Sequence, residues 1–100
     1  MTEMDAVRKQ LEQCWNPPLG ARDAKDMIVE IEVDMNADRT VQKARIIDIG
    51  RAGRDDVFRA AAESALRAVY NQKCNPLRLP ENKYETWKRF IVRFNPKDLI

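Results

Sequence analysis

Three features of the sequence predict an α+β fold with chain order α-β-β-α-β. The first is a helical stripe in which Phe58, Ala61, Ala62, Ala65, Leu66, Val69 and Tyr70 fall on one face. The second is an alternation of Met27, Val29, Ile31, Val33 and Met35 with Ile28, Glu30, Glu32 and Asp34, a strand with one apolar and one acidic face. The third is a strand-like segment on each side of that helix, at 40–49 and 87–94. A crossover helix lies over the sheet in a right-handed sense. The simplest result is a three-stranded antiparallel-type sheet of order 2-1-3, with helices packed on its apolar face.

The elements follow in order. Thr2 and Asp5 resemble a capping box, and Met4, Val7, Leu11 and Cys14 or Trp15 form a first helical stripe that ends at Asn16-Pro17. Pro17, Pro18, Gly20 and the charged run 21–26 form a loop. Strand one covers 27–35, and Asn36-Ala37-Asp38-Arg39 turns the chain without the glycine of the strongest hairpin signals. In strand two, 40–49, Val41 and then Ala44, Ile46 and Asp48 change phase against Ile47 and Ile49, which predicts a bulge or a strand covered on both faces near its end. Gly50-Arg51-Ala52-Gly53-Arg54 reads as the loop into the central helix, which Asp55 or Asp56 caps. Its alanines favour helix and admit a close neighbour. A short helical turn at 81–85 precedes strand three, where Phe90, Val92 and Phe94 share one face and Asn95-Pro96 ends it.

One hundred residues with 44% apolar content fit a single domain, and a net charge of +2 with interspersed signs points to no particular class of partner. No stretch approaches the length of a membrane span, and no signal-peptide pattern opens the chain. The two cysteines suit either one disulfide in an oxidising compartment or two free thiols in a reducing one. Both stand before the same punctuation, Cys14-Trp15-Asn16-Pro17 and Cys74-Asn75-Pro76, where a helical pattern meets a proline. Ends built alike favour pairing, and a bridge would close a loop of about 60 residues, worth roughly 4 kcal/mol in the chain-entropy model. The bridged reading makes the chain part of a longer, exported protein; the free-thiol reading stays open on these residues alone.

Enzyme chemistry lacks its parts. Without histidine, neither a Ser-His nor a Cys-His nucleophile can be assembled, and Ser64, the only serine, lies on the central helix. Two cysteines without histidine make a poor zinc site. The row Glu30, Glu32 and Asp34 is flanked by Lys43, Arg45 and Arg93, so cross-strand charge pairing accounts for it without a ligand. Gly50-Arg51-Ala52-Gly53 has the GxxG form of a KH module, in which Arg51 and Arg54 would meet phosphates, but it follows a strand rather than joining two helices. The sheet itself offers a function. Its edges are docking sites for an extended peptide unless something shields them, with strand three (Phe90, Ile91, Val92, Arg93, Phe94) as the first candidate and strand two, 40–48, as the second.

Segments 7–18 (VRKQLEQCWNPP), 58–80 (FRAAAESALRAVYNQKCNPLRLP) and 84–97 (YETWKRFIVRFNPK) resemble the C-terminal domain of TolA proteins in its alphaproteobacterial form, and more distantly the TonB C-terminal domain. The most specific marks are Cys14-Trp15-Asn16-Pro17-Pro18, Cys74-Asn75-Pro76-Leu77 after the alanine-rich helix, and Tyr84 followed by Trp87. The turn has Ala37 and Arg39 where the commoner form has proline and glycine, a departure expected to touch the hairpin more than the function. The resemblance implies a periplasmic domain of an inner-membrane-anchored energy transducer of the Tol-Pal system, acting in cell division and envelope integrity, with its anchor and helical stalk upstream of Met1. It implies TolB and the Pal system as partners, exploitation by filamentous phage coat protein and colicins, and contacts made by strand addition. It strengthens the Cys14–Cys74 bridge, and it implies no catalytic residue, metal, cofactor or nucleic-acid partner. A TonB-type transducer serving outer-membrane receptors is the alternative within the same fold.

Overall fold

The computed structural model of the chain describes residues 3–17, 20 and 26–99. Helix α1 runs Glu3–Glu12 and buries Val7 and Leu11, and the chain tightens beyond it through Cys14 N–H to the Leu11 carbonyl (2.9 Å) before Pro17 stops it. The expected Thr2 cap, the Met4 side chain and the loop at 18–25 apart from Gly20 lie outside the described residues.

Strand β1 spans Val29–Met35, with Val29, Ile31, Val33 and Met35 buried. It starts two positions later than expected, yet Met27 is buried as well. Strand β2 spans Val41–Ile46, shorter than the expected 40–49. Asp34 pairs with Lys43 and Met35 with Val41, so Gln42 is the extra residue of a bulge. The bulge therefore sits near the start of β2 rather than its end. It brings Val41, Ala44 and Ile46 onto one face despite their lost alternation.

The expected loop 50–54 is instead helix α2, Ile49–Arg54. The Asp48 carboxylate accepts the Arg51 N–H (3.0 Å), Ala52 is buried, and the Arg51 guanidinium lies 4.5 Å from the Phe58 ring centroid. Those contacts override the weak helix propensity of Gly50 and Gly53. After the corner at Asp55, whose carboxylate accepts the N–H groups of Val57 (3.0 Å) and Phe58 (3.1 Å), helix α3 runs Asp56–Tyr70. Its buried face holds Phe58, Ala61, Ala62, Ala65 and Val69 as expected, with Ser64 and Ala68 added. Leu66 is half-buried at its border. Tyr70 is 46% exposed.

A 3-10 turn at Gln72–Cys74 and a cis Asn75-Pro76 peptide follow. A second 3-10 turn, Glu81–Lys83, leads into helix α4, Tyr84–Trp87. Trp87, expected to open the last strand, ends this helix instead, because its indole is buried and donates to the Pro80 carbonyl (2.8 Å). Strand β3 is Arg89–Phe94, with Phe90, Val92 and Phe94 buried.

The sheet has the order β2-β1-β3, and both outer strands are antiparallel to β1. Helix α3 covers β1 and β2, while α1 covers β3. The core lies between sheet and helices. Trp15 closes it, with its ring centroid 5.1 Å from that of Phe94 and its indole N–H on the Ala61 carbonyl (3.2 Å). Cys14 and Cys74 form a disulfide with Cα atoms 6.5 Å apart, joining the ends that follow α1 and α3.

Candidate functional site

The uncovered face of the sheet carries charge in rows of opposite sign, which pair at their centre. The Arg45 guanidinium pairs with Glu32 and lies 3.5 Å from Asp34, and Arg89 Nε donates to Asp34 at 2.6 Å. These cross-strand pairs engage Glu32 and Asp34, two of the three carboxylates in the row. Among the described residues no group of histidine, cysteine and carboxylates is placed to hold a metal ion. The GxxG segment is helical and Arg51 is occupied by Phe58, so the loop that a nucleic-acid clamp requires is not formed.

The strand edges differ from one another. On β2, the Ile47 N–H donates to the Glu30 carbonyl (3.1 Å), so Lys43 and Arg45 also turn their backbone groups toward β1 and Ala44 and Ile46 turn theirs outward. The outward Ala44 N–H donates to the Tyr70 hydroxyl (2.7 Å), which in turn lies 3.4 Å from the Ala44 carbonyl. One tyrosine at the end of α3 thus occupies the middle of that edge.

On β3, the ladder continues past the strand end through Met35 N–H to the Lys88 carbonyl (2.8 Å), and Phe90, Val92 and Phe94 stand opposite Val33, Ile31 and Val29. By alternation these three bond to β1, and Arg89, Ile91 and Arg93 direct N–H and C=O outward. Among the described residues, nothing occupies that row. Beside it runs a groove of about 200 Å³, lined by Asp5 and Arg8 of α1 and by Ile91, Val92 and Arg93. Of the residues expected at this edge, Phe90, Val92 and Phe94 anchor the strand in the core, while Ile91 and Arg93 face outward. Arg89 belongs with them, and the period of two in RFIVRF is the signal that places it there. Just before the strand, Lys88 Nζ meets the Glu85 carboxylate at 2.7 Å, which holds its ammonium above the usual lysine range.

No protein-family model and no curated protein matches the sequence. Among solved structures, the chain is similar to the solution NMR structure of TolAIII bound to a peptide derived from the N-terminus of TolB, with a TM-score of 0.64. The match covers 93% of this chain and 71% of the other, at 26% identity. This chain has a TolA C-terminal domain-like fold. Within it, the asymmetry of the two edges is set by Tyr70.

Proposed function

We propose that this chain is a non-enzymatic interaction domain that captures an extended segment of a TolB-like partner along β3, which gains a fourth strand. The open backbone row of Arg89, Ile91 and Arg93 beside the α1 groove carries the reading. Main-chain hydrogen bonds supply the affinity, so the site needs no catalytic group. The disulfide supports placement in an oxidising compartment, the periplasm, as the working head of a longer, inner-membrane-anchored Tol-Pal transducer. There it couples the inner membrane to the outer by holding its partner while a stalk transmits force. Pal, phage coat protein and colicins are further candidates for the same edge.

Titration of the isotopically labelled domain with a peptide from the N-terminus of TolB is expected to shift the amides of Arg89, Ile91 and Arg93 most. Ile91→Pro removes one outward donor and leaves the bonds of Phe90 and Val92 to β1 in place, so the domain still folds, with a melting temperature within a few degrees, and peptide binding falls at least about tenfold. Shifts confined to helix surfaces would sink the proposal. A TonB-box peptide from an outer-membrane receptor serves as the control for pathway.

A further inference from the structure

Arg89, Ile91 and Arg93 line the outer strand on the uncovered face, with Ile91 51% exposed and the Arg89 side chain 65% exposed. Toward the sheet centre Arg89 pairs with Asp34, and Arg93 stands opposite Glu30 in the register without an ion pair to it. Toward solvent they present a basic, an apolar and a basic side chain in sequence. Arg89 commits its Nε to Asp34, which leaves its terminal N–H groups. Arg93 has no ion-pair partner among the described residues. A strand added here sets its own side chains about 5 Å from this row, where opposite charges stabilise and like charges destabilise.

We infer that the edge selects its partner by charge: the captured segment carries an acidic residue two positions before and another two positions after an apolar one that lies against Ile91. This inference rests on strand addition at β3. The row is symmetric about Ile91, so the same pattern fits a parallel or an antiparallel partner. The underside of the groove does not choose a sign, since it is lined by Asp5 and Arg8, themselves 3.9 Å apart. The row also discriminates against a second copy of the chain. Antiparallel pairing of two β3 strands about Ile91 would oppose Arg89 to Arg93 at both ends, so the open edge is kept from closing on itself.

The test uses two twelve-residue threonine-rich peptides with Asp-Thr-Val-Thr-Asp or Lys-Thr-Val-Thr-Lys at their centre, titrated against the labelled domain. The acidic peptide is expected to bind at least about tenfold more tightly, from two favourable pairs against two unfavourable ones, and to weaken with added salt. In Arg93→Glu, and in the milder Arg93→Gln should the first fail to fold, that preference shrinks or inverts. Equal binding of both peptides, with shifts at Arg89, Ile91 and Arg93, overturns charge selection and leaves strand addition standing. A preference for the acidic peptide that is unchanged in both variants also overturns it. Shifts from neither peptide at β3, alongside no shift there from the TolB peptide, remove strand addition and charge selection together.

Discussion

Arg39 has a φ of 71°, in the left-handed region where glycine or asparagine is usual. Its neighbours hold it there. The Asn36 N–H donates to the Thr40 carbonyl (2.9 Å), the Arg39 N–H to the Asn36 carbonyl (3.1 Å), and the Leu77 N–H to the Arg39 carbonyl (2.9 Å), while the guanidinium meets Glu81 at 3.1 Å. Asp38 completes the turn by accepting the Thr40 hydroxyl and its N–H (3.0 Å), and these bonds, the hydroxyl first, hold its carboxyl below the usual aspartate range. A depressed carboxyl stabilises the fold above the unfolded-state pKa, and that contribution is lost as pH falls through the folded value. Thr40→Val removes the hydroxyl and keeps the amide. The Asp38 titration, followed by carboxyl NMR, is then expected to move up toward the ordinary value, and an unmoved midpoint would show that the hydroxyl plays no part.

Helix α3 does two jobs along its length. Its small residues, Ala61, Ala62, Ser64, Ala65 and Ala68, bring the backbone close to the sheet, and Ser64 ties the segment after α1 by donating to the Asn16 carbonyl (2.8 Å) and accepting the Asn16 N–H (3.1 Å). At its end, Tyr70 reaches around to the edge of β2. Tyr70→Phe is expected to lower stability by about 0.5–1.5 kcal/mol, one hydrogen bond's net worth, and to open the Ala44 edge. The variant should then self-associate or bind a second equivalent of strand peptide, read by sedimentation and titration stoichiometry. A variant that stays monomeric and binds one peptide would show that Tyr70 does not guard that edge.

For the whole molecule, the Cys14–Cys74 bridge spans a sequence separation of 60 and ties the segment after α1 to the turn after α3. Helix α1 packs mainly on β3, so the bridge fixes the helix that flanks the open edge. Replacing both cysteines by alanine is expected to cost about 2–4 kcal/mol, seen as a lower urea midpoint. Wild-type protein from an oxidising compartment, denatured without reductant, should show no free thiol. Two free thiols would remove the bridge from the native protein and leave the periplasmic reading resting on the TolA-like fold alone.

Much of this was legible in local periodicity. The stripe of α3, the alternation in β1 and β3 and the proline stops after Cys14 and Cys74 set element type, order and facing, because a side chain's direction repeats every 3.6 or 2.0 residues wherever the element is regular. Irregular backbone was harder to read. The bulge at Gln42 inverted the phase of β2, and α2 formed over two glycines because Asp48, Phe58 and the burial of Ala52 supplied what propensity lacked. The β3 edge could be named from sequence, but its being open while Tyr70 occupies the middle of the β2 edge could not. That difference depends on a hydroxyl 26 residues from Ala44, brought to the edge by the crossover of α3, and no local pattern encodes such a contact.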